Sequence, residues 1–380
     1  MDFVGQFNKN YTVYEQKLRA LSSVSNLSIR EQIEYGFSGL PLGCYIELEK
    51  QAKQYILNNL GQSNEGKKKI LQKIREYNSD PSRSLDVKSF CKFFEIDPRA
   101  IYKTKNTFIG LCNECGICDV KVTEGALTPS SFSRICNINS RNWIRSIQRM
   151  LMGNSNHLDV KEQLYASMFY YTLMFNSLEP KYRNVWDFIE EIRNNTVLCK
   201  EVLDLLDYNM SKIDFVDEPV DLGFVHTLDL HCRYSKEQIL AALGKSTVQK
   251  MYPWREGVLF LREKNTDVFL ITLNKTEADY SPTTLYEDYP ISETLFHWQS
   301  QSIAVPETGD GYRYSHPEPG RKTLLFVREK NNSSYGTEPF VFLGNARYVS
   351  HTGRKPMSVV WQMDKDIPSR VLSWSKLFKG

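Results

Sequence analysis

Four cysteines form the sharpest cluster of chemically reactive residues in the sequence. Cys112, Cys115 and Cys118 follow one another at three-residue spacing, and Cys136 lies downstream. Structural zinc sites use two separated pairs of Cys or His, and iron–sulfur clusters use four thiolates, so the pattern matches either site only in part. We therefore expect no metal and interpret these cysteines as reduced thiols in a loop, with a metal site as the alternative.

Signatures of common catalytic sites are missing from the sequence. Gly244-Lys245-Ser246 resembles the end of a phosphate-binding loop, but position 239 is Ile where that loop has Gly, and a helical pattern precedes it. We interpret Gly244 as a helix C-cap. None of the six histidines has Lys two positions later, which excludes the HxK signature of phospholipase-D-type nucleases, and neither GxSxG nor HExxH occurs. We expect no catalytic residues, so this chain alone is not an enzyme.

Aromatic and hydrogen-bonding side chains are concentrated in residues 275–301. Planar rings for stacking, alternating with hydrogen-bonding groups, are what a nucleobase turned out of a duplex requires. In a strand, His297 and Trp298 point to opposite faces, so at most one of them lines a given cavity. The alternative is that these aromatic residues fill the inside of a small barrel. The predicted base-pocket residues are Trp254, Asp279, Tyr280, Tyr286, Trp298, Gln299 and Gln301.

The net charge of +3 conceals two segments of opposite sign. Residues 216–320 hold 9 Lys and Arg against 16 Asp and Glu, whereas residues 321–380 hold 11 against 4. A basic segment beside an acidic, aromatic one indicates a nucleic-acid footprint, although adjacent strands also pair opposite charges. Arg141, Arg145 and Arg149 recur on one helix face, where they could contact phosphates; the alternative is a solvated face.

The elements that must position these residues change character along the chain. Up to residue 215, apolar positions recur at three- and four-residue spacing, which predicts an all-α assembly. From residue 216, short β-branched and aromatic runs separated by turn residues predict a mainly antiparallel sheet or small barrel. The predicted helices lie at 11–21, 29–36, 45–60, 67–77, 86–94, 98–103, 141–152, 159–176, 185–193, 197–207 and 235–243, and the strands at 257–262, 267–273, 323–329, 340–344, 346–350 and 357–363.

Length and composition agree with an ordinary globular protein of two units. The 380 residues exceed the usual size of a single core, so we predict an α+β protein with domains 1–215 and 216–380. No run of about 18 apolar residues occurs, and the N-terminus lacks the pattern of a signal peptide. We therefore expect no membrane partner, a cytoplasmic location and reduced cysteines.

Five segments resemble a known C-terminal region. They are residues 273–284, 285–289, 295–301 (Leu-Phe-His-Trp-Gln-Ser-Gln), 324–329 and 342–357. Together they are similar to the region of initially unknown function that closes the Type IV, modification-dependent restriction endonucleases. Those proteins combine a phospholipase-D-type nuclease with a superfamily 2 helicase. The resemblance covers essentially the whole chain and is most specific after residue 216.

The resemblance implies a role in a larger enzyme. The parent would use ATP to translocate on DNA and would cleave where it meets 5-methylcytosine or 5-hydroxymethylcytosine. An SRA-like, PUA-related β-barrel would read the modified base, and a helical domain would join it to the motor. The absent nucleotide-binding and HxK motifs fit a fragment that begins after the nuclease and helicase domains. ATP and Mg²⁺ would belong to those domains, and we expect no cofactor in this chain.

On this basis we predict that residues 216–380 extrude a modified cytosine from duplex DNA. Tyr280 and Trp298 would stack on the base, with Trp254 or Tyr286 as substitutes. Asp279 would accept a hydrogen bond from the N4 amino group, helped by Gln299 or Gln301. The predicted backbone contacts are Arg321, Lys322, Arg347, Arg354 and Lys355, with Arg141 and Arg145 in the helical region. The alternative is a structural module that dimerises the enzyme, giving a homodimer, or that docks its motor.

Overall fold

The computed structural model describes residues 66–123, 125–153, 158–174, 181–274 and 288–374. The helical predictions at 11–21, 29–36 and 45–60 lie outside these residues, as do the predicted pocket residues Asp279, Tyr280 and Tyr286. The other predicted helices are confirmed to within a few residues. Before the first strand the helices are α1 Lys67–Asn78, α2 Val87–Phe93, α3 Arg99–Tyr102, α4 Phe108–Glu114, α5 Pro129–Ile135, α6 Arg141–Met152, α7 Val160–Leu173, α8 Val185–Asn194 and α9 Thr196–Lys212; we call them the helical half.

Local capping explains where several helices begin. Asp159 and Glu162 form a capping box at the start of α7, because the Asp159 side chain accepts from the Glu162 amide and the Glu162 side chain accepts from the Asp159 amide. The loop predicted around the cysteine triplet is wrong in part, since Cys112 lies within α4. The Thr107 side chain caps that helix by accepting from the amide of Gly110, and Leu111 is buried on its inner face.

Residues 233–374, here the sheet half, hold the strands. These are β1 Arg233–Tyr234, β2 Val258–Leu261, β3 Thr266–Thr272, β4 Tyr289–Pro290, β5 Leu295–Gln299, β6 Lys322–Arg328, β7 Asn332–Ser333, β8 Gly336–Thr337, β9 Phe340–Gly353 and β10 Met357–Met363, together with α10 Lys236–Ala242, α11 Gly309–Ser315 and α12 Ser369–Leu372. Eight strands form one sheet in the order β2-β3-β6-β9-β10-β5-β4, with β1 paired to β9. The β7 and β8 strands form a separate hairpin.

The sheet is mainly antiparallel, as predicted, and it bends along β9. The first part of β9 pairs with β6 and the second part with β10, so one long strand joins two smaller sheets. Only the β3 and β6 pair is parallel among the described strands. The end strands β2 and β4 do not pair with each other in the described part of the chain, so the sheet is open and is not a closed barrel.

Alternation along the strands gives the sheet two buried faces. On β6, Leu324 and Phe326 join a hydrophobic core shared with the helices, whereas Leu325 and Val327 join a second core between the two parts of the bent sheet. The first core therefore contains residues from both sides of position 215, and the predicted two-domain division stays a prediction. Within the described residues, no helix is long and apolar enough to cross a membrane.

Candidate nucleic-acid interface

A cleft of about 1200 Å³, here the junction cleft, lies between the helical half and the sheet half. Its helical wall comes from α3 with the turn after it, from α5 and the residues that flank it within 128–137, and from Tyr171 of α7. Its other wall comes from the first turn of α10, residues 255–257, β3, the end of β6 and the segment 331–340. Parts of the chain that are far apart in sequence thus meet at one concave surface.

Basic side chains outnumber acidic ones in the lining of the junction cleft. Six basic residues face three acidic residues, Glu237, Glu256 and Glu338. Since each half of the protein supplies three of the cations, the positive potential arises from the packing of the two halves against each other. A concave surface with an excess of fixed positive charge attracts a polyanion. The basic residues are Lys103, Lys105, Arg134, Lys236, Arg255 and Arg328.

Arg134 is fixed to the end of α7. Its Nε atom donates to the carbonyl of Thr172 at 2.5 Å, and its Nη2 atom donates to the carbonyl of Leu173 at 2.7 Å. Burial lowers the pKa of the guanidinium to about 10, because low polarity disfavours the charged form. An anion in the cleft would offset that desolvation, so this side chain is suited to bind phosphate.

Arg328 is held at the opposite wall by the sheet. Its Nε atom donates to the Thr272 hydroxyl at 2.9 Å, and its Nη1 atom donates to the carbonyl of Glu338 at 3.2 Å. Its guanidinium carbon lies 4.2 Å from the centre of the Phe340 ring. Hydrogen bonds and a cation–π contact therefore fix this guanidinium before any ligand arrives.

The β7–β8 hairpin crosses from the sheet to the helical wall. Tyr335, at its turn, is half-buried; its ring centre lies 4.4 Å from the guanidinium carbon of Arg99 and 5.7 Å from the ammonium of Lys103. Gly336 follows with a φ of 109°, a conformation that favours glycine. The hairpin thus brings an aromatic ring to the basic lining of the cleft.

The described members of the predicted base pocket do not line one cavity. Trp298 is 5% exposed in the core inside the bent sheet, whereas Trp254 belongs to the core shared with the helices. Gln299 is half-buried on the other face of β5, and the Gln301 side chain accepts from the Tyr314 hydroxyl at 3.4 Å. The opposite orientation of His297 and Trp298 is confirmed, because His297 stacks on Tyr289 outside the core. The base-reading roles of these residues stay predictions.

The predicted backbone contacts lie outside the junction cleft. Arg321 points inward and pairs with Glu318 at 2.6 Å. Arg141 pairs with Asp217 and donates to the carbonyls of Ile213 and Phe215, so it fixes the segment after α9. Arg347 and Arg354 are exposed and pair with carboxylates, whereas Arg145 and Lys355 are exposed and Lys322 is half-buried.

Thiols of the predicted cysteine cluster donate hydrogen bonds to nearby groups. The Cys118 thiol donates to the Asn113 side-chain oxygen at 3.1 Å, and the Cys136 thiol donates to the carbonyl of Phe132 at 3.2 Å. Burial raises the pKa of both thiols. In the described part of the chain, no group of three or more His, Cys, Asp or Glu residues could hold a metal ion.

The interpretation of Gly244 as a helix C-cap is confirmed. It follows α10 with a φ of 68°, and its amide donates to the carbonyl of Ala241 at 2.9 Å. The next residue, Lys245, pairs with Glu263 at 2.9 Å. The Gly-Lys-Ser sequence therefore ends a helix and does not open one.

Comparison with known families assigns no activity to the chain. Residues 228–373 match the model of a family described as Domain of unknown function (DUF3427). The match runs from the residues before β1 to the end of α12, and it includes the sheet wall of the junction cleft. No curated protein matches the chain. The predicted relation to restriction endonucleases thus rests on the resemblance of the five segments.

Proposed function

We propose that this chain recognises 5-methylcytosine or 5-hydroxymethylcytosine in DNA by base flipping, as the target-recognition part of an ATP-dependent Type IV restriction endonuclease. The observation that carries the proposal is the junction cleft, which is basic and partly aromatic. The open, bent sheet would be the counterpart of an SRA-like, PUA-related barrel. Nuclease and helicase domains of the parent protein are the proposed partners in the cytoplasm; catalysis, ATP and Mg²⁺ belong to those domains.

The size of the cleft favours a nucleotide that has left the duplex. A cube of about 1200 Å³ has an edge of about 11 Å, whereas the major groove of B-DNA alone is about 12 Å wide. An intact duplex is wider than its groove, so a cleft of this volume would not enclose it. A nucleotide turned about its backbone can enter, and its phosphate would meet Arg134 or Arg328.

Recognition of the modification requires more than burial of a methyl group. Transfer of one methyl from water contributes about 0.8 kcal/mol, which is about fourfold in affinity. A larger preference needs a close fit around the base, combined with the cost of unstacking. We therefore assign phosphate binding to the cations of the cleft and discrimination to the side chains that surround the base once it has entered.

Fluorescence anisotropy with matched duplexes tests this proposal. The full chain should bind a duplex with one 5-methylcytosine more than about fourfold tighter than the unmodified duplex. Arg255→Glu and Lys236→Glu should weaken binding to both and should make the slope of log Kobs against log salt shallower by about 0.9 for each phosphate that is no longer neutralised. Lys92→Glu is the matched control, because Lys92 is exposed on α2 and does not line the cleft.

Two results would contradict the proposal. The first is equal binding of modified and unmodified duplexes by the folded parent chain. The second is binding of the modified duplex by both cleft variants as tightly as by the parent, which would place the DNA elsewhere.

The second candidate function is a structural or dimerisation module. It is favoured by the filled interior of the bent sheet, where the Trp298 ring stacks on Phe269 at 4.4 Å and meets Tyr314 edge-on at 5.2 Å. An interior packed with its own aromatic residues needs no base. Sedimentation equilibrium showing a dimer, together with no preference for modified DNA, would favour this function.

A further inference from the structure

We infer that the junction cleft binds a short continuous single strand of nucleic acid, whether or not its cytosines are modified. The inference goes beyond the proposed function, although it concerns the same cleft. The ligand class differs, because several adjacent nucleotides would occupy the cleft instead of one extruded nucleotide.

The charge of the cleft matches the charge of such a strand. Each nucleotide of a single strand carries one negative charge, so a stretch of about three nucleotides carries about three. The lining has six basic and three acidic side chains, an excess of three positive charges. A single extruded nucleotide carries one phosphate and would leave most of this excess unused.

The cations also lie on separate elements of the cleft wall. Lys103 lies at the hairpin, 5.7 Å from the Tyr335 ring, whereas Arg134 is fixed at the end of α7 and Arg328 is fixed beside β3. A site for one phosphate gathers its cations around one point. Cations on separate elements are suited to successive phosphates of one strand.

Tyr335 supplies the aromatic side chain that single-strand sites require. Among the four aromatic residues of the lining, Tyr102, Tyr171 and Phe340 are buried, and Tyr335 is half-buried at the turn of the hairpin. Stacking on a tyrosine tolerates every base, because every base has a planar face. Binding should therefore depend little on sequence.

Anisotropy with a labelled 12-residue oligothymidylate tests the inference on the full chain. About three phosphate contacts give a salt slope of about −2, so affinity should fall about 20-fold between 50 and 200 mM salt. Lys103→Glu and Arg255→Glu, one from each half, should each make the slope shallower by about 0.7. Tyr335→Ala should weaken binding about fivefold or more at unchanged slope, whereas Tyr335→Phe and the Lys92→Glu control should bind like the parent.

The outcomes separate this inference from the proposed function. A folded parent chain that prefers the methylated duplex but does not bind oligothymidylate at 50 mM salt overturns the single-strand inference and leaves the proposed function intact. Binding of the oligonucleotide without a preference for the methylated duplex supports the single-strand inference and overturns the proposed function. If Tyr335→Ala binds like the parent, or if Lys92→Glu lowers the slope as much as Lys103→Glu, the strand does not lie in the cleft.

Discussion

Replacement of Trp298 by alanine should destabilise the sheet half strongly. Trp298 is 5% exposed; its ring stacks on Phe269 at 4.4 Å and contacts Tyr314 edge-on at 5.2 Å. Removal of a buried tryptophan side chain costs about 3–5 kcal/mol, of which each aromatic pair accounts for about 0.5–1.5 kcal/mol beyond the buried area. Trp298→Phe retains part of the packing and should cost less than Trp298→Ala.

Urea unfolding followed by near-ultraviolet circular dichroism measures this destabilisation. The control is His297→Ala, the adjacent residue of β5 on the other face, which stacks on Tyr289 and should cost about 1 kcal/mol. A cost below about 1 kcal/mol for Trp298→Ala, with the affinity for modified DNA abolished, would contradict the core role of Trp298. It would instead favour the base-stacking role predicted from the sequence.

Two buried carboxylates give further predictions. Burial raises the pKa of Glu201 to about 7, although Tyr102 and two amides donate to it. The contribution of this group to the free energy of unfolding should therefore be largest below pH 4.5 and should fall by about 3 kcal/mol as the pH rises through 7. The urea midpoint of Glu201→Gln should depend less on pH between pH 4 and 8 than the midpoint of the parent does. The same pH dependence in the variant and the parent would contradict this prediction. Arg313→Met would leave the buried Asp267 carboxylate without the guanidinium that pairs with it. Arg313 Nε donates to Asp267 at 3.0 Å, and burial raises the pKa of Asp267 to about 6. This substitution should lower the free energy of unfolding by about 3–5 kcal/mol at pH 8 and by less at pH 5. An equal loss at both pH values would contradict the prediction.

The main elements could be predicted from the sequence because their patterns are long and regular. The helix expected at 141–152 is observed at Arg141–Met152, and the strand expected at 357–363 is observed at Met357–Met363. Several short elements were missed, although the short helices α2, α3 and α10 were predicted. Helix α5 has only seven residues, Pro129–Ile135, and its signal was the Thr128-Pro129 pair, since Thr128 caps the helix and Pro129 opens it.

The junction cleft could not be predicted from the spacing of residues. Tyr102 and Phe340 line the same cavity, and their proximity arises from the packing of helices against the sheet. The missed residues of the site include Arg134, Lys236, Arg328 and Tyr335. A partial signal existed for Tyr335, because a turn with Asn and Ser residues and one aromatic residue lies between two predicted strands. Nothing in the sequence places that turn beside α3.

The expected role of Trp298 shows where composition is ambiguous. Aromatic residues that alternate along a strand are typical both of a stacking site and of a packed interior. The neighbours of the ring distinguish the two, and here they are Phe269 and Tyr314 of the same sheet half. Arg141 is ambiguous in the same way. Its place on a helix face allowed a phosphate contact, but its side chain pairs with Asp217, which lies 76 positions away in the sequence.

A structure of the chain bound to a duplex with one 5-methylcytosine tests the central claim most directly. We predict that the modified nucleotide leaves the duplex and enters the junction cleft, with its phosphate at Arg134 or Arg328 and its base beside Tyr335. A duplex bound at Arg347 and Arg354, with its nucleotides stacked and none in the cleft, would contradict the claim.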